Sequence, residues 1–268
     1  IVSAKDLMTS DDNTLIKDIM ETEIISVSTH TDQEEVAGLF RKYDLLALPV
    51  LDTDNRLVGI VTVDDAMDVV IDEATEDITK MAAVAPSEKT YFETSSFAHA
   101  KRRIPWLLVL MFSSIITGSI ITKYENAFAA IPLLVSFIPM LMDTGGNCGS
   151  QSSTLIIRGL ALDEVHFGDF FRVVFKEFQI SIIVGIVLAT ANGLRIFIEY
   201  HNSGLAIVIA LSLIVTVTLS KIIGCTLPLF AKKIGLDPAL MASPLITTLV
   251  DTCSIIVYFN IATTIFKI

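Results

Sequence analysis

Between Pro238 and Phe266 the chain carries a single charge, Asp251, in an otherwise uncharged apolar run. Ser243, Thr247, Asp251, Ser254 or Ile255, and Tyr258 recur in steps of three or four, the spacing that places side chains on one face of a helix. A carboxylate at mid-membrane costs about 2.5 kcal/mol or more on insertion scales, so it persists where it meets water, an ion or a partner. Asp251 is thus either a cation site on a pore-lining face or a structural carboxylate bonded to a neighbouring helix. The first reading is preferred, because Asp251 is read as the only acidic residue in mid-span. A second concentration of oxygen and amide groups lies at Asp143-Thr144-Gly145-Gly146-Asn147-Cys148-Gly149-Ser150-Gln151, after the apolar Pro139–Met142. Three glycines among hydroxyls and amides point to a break in a helix, which membrane interiors tolerate only against protein or a watery cavity. Such a break would expose carbonyl oxygens and helix ends to ions. A close-packed turn between helices is the plainer reading.

A third group is acidic and belongs to the first third of the chain. Asp65, Asp68, Glu73, Glu76 and Asp77 recur along one helical stretch, with Asp32, Glu34 and Asp44 upstream. Like charges at this spacing destabilise a helix unless they are screened. Bound divalent cations would screen them, and a solvated acidic face is the alternative. Thr62 and Asp65 also have a plain role as cap and first-turn carboxylate. The histidines (His30, His99, His166, His201) are scattered, without a zinc-protease motif. Cys148, Cys225 and Cys253 fall in apolar segments at no metal-ligand spacing and read as buried packing residues.

The elements that carry these groups divide sharply. Residues 1–80 hold 19 Asp/Glu against 6 Lys/Arg, a net charge of −13, whereas the whole chain stands at −11. All of the acidity therefore sits in the first third, which repels nucleic acid and attracts cations. The opening Ile1-Val-Ser-Ala-Lys-Asp-Leu7 reads as a strand running into a helix, without a charged-then-apolar leader, and further sequence is expected upstream. Glu23–Ser28 reads as a strand. Thr31-Asp32-Gln33-Glu34 fits a capping box ahead of Val36, Leu39, Phe40 and Tyr43 at helical spacing. Ala47–Leu51, the turn Asp52–Asn55, the returning strand Leu57–Val61 and a helix opening at Thr62–Asp65 complete a β-α-β-β-α unit. A linker follows Asp77 to about Ala100.

Beyond it lie five apolar stretches: Ile104–Thr122, Asn126–Met142, Phe178–Leu194, Ser203–Ser220 and Pro238–Phe266. Each approaches the roughly 20 residues that a bilayer core requires. A soluble helical core would need polar faces that these segments lack. One side of the spans collects Lys101, Arg102, Arg103, Arg158, Arg172, Lys176, Lys232 and Lys233; the other has Lys123, Arg195 and Lys267. Lys/Arg excess marks the cytosolic side, so the N-terminal domain is expected inside and the C-terminus outside. Lys221 falls within the fourth span.

The unit containing Gly59-Ile60-Val61-Thr62-Val63-Asp64-Asp65 resembles a CBS domain, and Ser3-Ala4-Lys5-Asp6 looks like the tail of a preceding one. Thr31–Val36, Glu73–Ile78, Gly145–Gln151 and Asp237-Pro238-Ala239-Leu240 through Asp251 are similar to the MgtE magnesium channel family. The resemblance implies an α/β CBS domain (β-α-β-β-α) followed by an all-α membrane domain of five transmembrane helices. Its expected division is 1–14 as a CBS tail, 15–77 as a CBS domain, 78–100 as a linker or plug helix, and 101–268 as the pore domain. It implies a homodimer in the lipid bilayer, with one Mg²⁺ path on the twofold axis lined by the second and fifth spans. Asp251 would be the pore carboxylate, with Asn147, Ser243 and Thr247 beside it. Asp32, Glu34, Asp44, Asp65, Asp68, Glu73, Glu76, Asp77 and Asp237 match positions that bind regulatory Mg²⁺, and Ser3, Asp6, Thr62 and Asp65 those that contact the ribose of an adenine nucleotide such as ATP. Mn²⁺ or Co²⁺ would favour softer ligands. An intramembrane hydrolase would need paired carboxylates or a zinc motif; no enzyme is expected. A CBS-regulated scaffold without a pore is the remaining alternative.

Overall fold

The computed structural model describes residues 1–87, 89–241 and 243–267, without the side chains of Phe128 and Ser243. The chain forms two compact units, Ile1–Thr75 and Glu76–Ile268.

The first unit opens on α1 (Ala4–Thr9), capped by the Ser3 hydroxyl, which accepts from Asp6 N at 3.0 Å, and a short α2 (Ile16–Ile19). Residues 1–3 form no strand, contrary to expectation. The sheet has three strands in the order β1-β2-β3, with β1 (Val27–Ser28) parallel to β2 (Ala47–Leu51) and β2 antiparallel to β3 (Leu57–Thr62). The strand expected over Glu23–Ser28 is thus only two residues long. α3 (Gln33–Tyr43) makes the crossover between the parallel strands. Its cap is Asp32 rather than Thr31: the Asp32 carboxylate accepts from Glu34 N at 2.9 Å, while the Thr31 hydroxyl accepts from Ser28 N at 3.1 Å. The hairpin turns on Asp52, whose Oδ1 accepts from Asp54 N and Arg56 N, with Asn55 in the left-handed region at φ 59°. Val27, Phe40, Leu48 and Ala66 form the small core.

α4 (Val63–Met81) carries Asp65 through Asp77 on one helix, in keeping with their spacing, and runs four residues beyond Asp77; the boundary between units falls within it. Residues 82–95 contain no helix among those described, and α5 (Ser96–Lys123) begins where the Ser95 hydroxyl accepts from Ala98 N. Residues 78–100 are therefore the end of one helix, an irregular passage and the start of another.

The second unit is helical. Among the described residues, four of its helical segments are long and apolar enough to cross a membrane: Ser96–Lys123, Phe167–Tyr200, Ser203–Lys233 and Pro238–Phe266. They correspond to α5, α8 (Phe170–Tyr200), α9 (Ser203–Lys233) and α10 (Ser243–Phe266). The stretch expected as one span over Asn126–Met142 is divided into α6 (Glu125–Ala130), a 3₁₀ turn (Pro132–Phe137) and the start of α7 (Ile138–Ala161). Pro132 and Pro139 each stand in the first turn of the element that follows a break, where a missing N–H costs nothing. α9 is the central helix, packed against α7, α8 and α10. The core at one end of the bundle joins Leu134, Phe137, Leu141, Ile196, Ile209, Leu213 and Phe259. Tyr258, fully buried, donates its hydroxyl to Leu134 O at 2.8 Å and ties α10 to the 3₁₀ turn.

Candidate functional site

α7 passes unbroken through Gly145, Gly146 and Gly149, so the helix break expected there is not formed. The glycines serve close packing instead. A Cβ on Gly145 would lie 2.9 Å from Thr216 Cγ2, Val250 Cγ1 and Ser254 Oγ, and one on Gly146 would lie 3.0 Å from Thr247 Cγ2. A Cβ on Gly149 would lie 2.7 Å from Ile246 Cγ2, and one on Gly224 would collide with the Gly149 carbonyl. α7 thus lies backbone-close to α9 and tight against α10, the small-residue mode of packing common between membrane helices.

The other face of α7 is exposed and polar. Asp143, Asn147, Gln151, Thr154 and Arg158 follow at steps of three or four, and each is exposed. At about 1.5 Å per residue, a helix of 24 residues is about 36 Å long, more than the roughly 30 Å of a hydrocarbon core. The interleaved polar residues are what lower its hydropathy. On α10, Asp251 and Thr247 are half-buried beside this helix, and Asp251 is close enough to Asp143 for their charges to interact. Thr247 turns its hydroxyl back to Pro244 O at 3.0 Å. The rest of the expected α10 stripe faces inward: Ser254 is buried with its hydroxyl on Val250 O, and Tyr258 is in the core. The side chain of Ser243 lies outside the described residues.

Sequence reasoning misses Asp143 as a site residue because it stands among glycines rather than alone in an apolar run. It misses Glu177 because that residue immediately precedes the uncharged Phe178–Leu194, yet α8 has begun at Phe170 and Glu177 is 6% exposed. Asp251 is therefore not the only acidic side chain inside a long apolar helix.

The acidic residues of the first unit are mostly engaged locally. Asp32 caps α3, Asp44 closes it in the left-handed region at φ 50°, Asp65 accepts from the Thr62 hydroxyl at 2.7 Å, and Glu73 accepts from Gln33 Nε2 at 2.7 Å. Glu34 and Asp68 are exposed. In the second unit, Glu76 and Asp237 are brought together: the Lys80 ammonium lies 2.5 Å from Glu76 Oε1 and 2.5 Å from Asp237 Oδ2. Asp237 also caps the following turn by accepting from Ala239 N. Desolvation alone would lower the Lys80 pKa, but the hydrogen bonds and charges of Asp237 and Glu76 outweigh it and hold it above the ordinary lysine value. Asp77 is half-buried on the same helix. Among the described residues, no three His, Cys, Asp or Glu side chains converge on one metal-sized site. Ser3 and Asp6 bond to each other as cap and first turn, as do Thr62 and Asp65.

Comparison with known proteins matches residues 138–261 to the model of the MgtE family, a divalent cation transporter, and residues 16–72 to the CBS domain. The magnesium transporter MgtE of Bacillus subtilis is 41% identical over 98% of the chain, and those of Thermus thermophilus and Enterococcus faecalis are each 38% identical over 98%. The chain spans 58%, 58% and 57% of the lengths of these three relatives. The matched helical region contains the α7 and α10 faces just described, and the matched α/β region is the small three-stranded unit: over nearly its whole length the chain is similar to the MgtE family.

Proposed function

We propose that this chain forms part of a Mg²⁺ channel or transporter whose ion path is lined by α7 and α10. The observation that carries the reading is the exposed polar face of α7, from Asp143 through Asn147 to Arg158, beside Asp251 in a bundle of apolar helices. Polar side chains on a membrane-length helix need water, ions or protein against them. A second copy meeting this face would enclose a polar path, with the two copies of Asp251 and Asp143 supplying its charge. In this reading α7 is a fifth span. Mg²⁺ takes hard oxygen ligands, sheds water reluctantly and is usually held by one or two carboxylates. Asp251 with Asn147, Thr247 and Ser243 would hold a largely hydrated ion strongly enough to admit it and weakly enough to release it. The relatives named as magnesium transporters support the choice of ion.

The Lys/Arg excess supports an acidic domain in the cytosol and a C-terminus outside. We assign its carboxylates, with Glu76, Asp77 and Asp237, to regulation: Mg²⁺ bound there favours a closed path, provided it binds the closed state more tightly than the open one. Adenine nucleotide would act through Ser3, Asp6, Thr62 and Asp65. Proteoliposome Mg²⁺ flux tests the core of the proposal. Wild type should conduct and Asp251→Ala should not; equal flux in both removes Asp251 from the ion path. No flux in wild type favours a CBS-regulated membrane scaffold.

A further inference from the structure

Three polar side chains meet in the interior of the helical bundle, on three different helices. Ser152 of α7, Glu177 of α8 and Lys221 of α9 are 0%, 6% and 5% exposed. The Ser152 hydroxyl donates to Glu177 Oε2 at 2.6 Å and accepts from Lys221 Nζ at 3.2 Å, while the two charges stand 3.7 Å apart. A chain thus runs from ammonium through hydroxyl to carboxylate. Both charges are paired, which is the condition for keeping them in a low-dielectric interior; removing one partner of such a pair is strongly destabilising.

The position of this cluster matters more than its stability. Just before it, α7 and α9 touch through Gly149 and Gly224, backbone against backbone. Lys221 is one turn before Gly224 on α9, and Ser152 is one turn after Gly149 on α7. The Gly149–Gly224 contact is made by backbone alone, so at this point along the axis no side chains of α7 and α9 interlock. The cluster supplies what the glycines lack. Sliding α7 by one turn moves Ser152 about 5.4 Å from both charges and brings no other hydroxyl of comparable placement to them. One turn earlier stand Cys148 and Gly149, and one turn later Leu155 and Ile156.

We propose that Ser152, Glu177 and Lys221 are positioning residues that fix the axial register of α7 against α8 and α9. They thereby set the height of Asp143 and Asn147 relative to Asp251. The register itself is independent of the transported ion; its consequence for ion binding rests on the transport reading above. Ser152→Ala removes the shared hydroxyl while keeping both charges and filling nearly the same space, so it serves as the variant expected to fold. Glu177→Gln, Lys221→Met and the exchange Glu177→Lys with Lys221→Glu complete the set.

Two measurements separate the claims. Spin labels on cysteines placed at the exposed Ala161 of α7 and Lys233 of α9, with labelled protein diluted into unlabelled protein so that only distances within one copy are read, report register without any flux. Wild type should give one narrow distance, and Ser152→Ala and Glu177→Gln a broadened or displaced distribution of about one helical turn, about 5 Å. Flux per folded protein then reports the consequence. With Asp143 and Asn147 displaced from Asp251, the half-saturating Mg²⁺ concentration should rise about tenfold, equivalent to about 1.4 kcal/mol of lost ion binding. The charge exchange should return both readouts toward wild type. An unchanged spin-label distance in Ser152→Ala and Glu177→Gln overturns the inference, whatever the flux shows. Altered distances with wild-type half-saturation overturn the link to the ion path and leave the register role standing. Absence of Mg²⁺ flux in wild type overturns the transport reading, while the distances still decide the register.

Discussion

The two units handle polar groups in opposite ways. In Ile1–Thr75 carboxylates are abundant, exposed and used locally, as caps and turns: Asp32 on α3, Asp52 in the hairpin, Asp65 with Thr62. Water screens whatever these contacts leave unpaired, so each matters little alone. In the helical unit, charged groups are few, and the two that are fully inside the bundle, Glu177 and Lys221, pair across helices. There a single group decides how helices meet. Charge in the first unit is a collective property, whereas in the second it is positional.

The contrast is broken most severely by exchanging one carboxylate in each region for its amide. Asp251→Asn should lower Mg²⁺ flux by at least about tenfold, the effect of losing more than about 1.4 kcal/mol of attraction for the ion. Asp54→Asn, in the exposed hairpin, should leave flux unchanged. Comparable losses in both would make net charge, and not position, the controlling quantity.

Packing in the helical unit should be nearly as sensitive. Gly224→Val places a branched side chain against the Gly149 carbonyl, and overpacking of this kind costs about 1–3 kcal/mol. A fall in the melting temperature of the detergent-solubilised protein checks this; a melt like wild type would mean that α7 and α9 separate cheaply. In the acidic unit, Asp32→Ala removes an N-cap and should cost about 1 kcal/mol. The change should be read from α3 by hydrogen exchange, with no effect on exchange in α9.

The smallest effect is expected at Lys80, where an ammonium sits between carboxylates from distant parts of the chain. Its folded-state pKa is raised above the ordinary 10.5, so its contribution is complete below that pH and is lost only as pH rises through the higher folded value. The side chain is 22% exposed, and the bridge should contribute less than about 1 kcal/mol. The stability difference between wild type and Lys80→Met should stay constant from about pH 7 to about pH 9, a window wholly below the transition. A difference that vanishes within that range would mean that the ammonium is not held by Glu76 and Asp237.

Features that depend on neighbours along the chain were legible from the order of residues alone. Short apolar runs on either side of turn residues located β2, β3 and the Asp52–Asn55 hairpin. Uncharged runs located α5, α8, α9 and α10, because crossing a hydrocarbon layer is a matter of segment length and polarity. The Gly145–Gln151 motif and Asp251 stood out from their apolar surroundings for the same reason. What those groups face emerged only when the helices were packed. The glycines of α7 read locally as a break, but α9 and α10 pack into them and the helix continues. Ser254 and Tyr258 share a helical stripe with Asp251, yet neighbouring elements bury them. Glu177 and Lys221 are 44 residues apart and look like stray charges until Ser152 joins them; Lys80 finds Asp237 across 157 residues. Pairings at such separations leave no periodic trace in sequence, since they depend on where whole helices come to rest and not on the order of residues within any one of them.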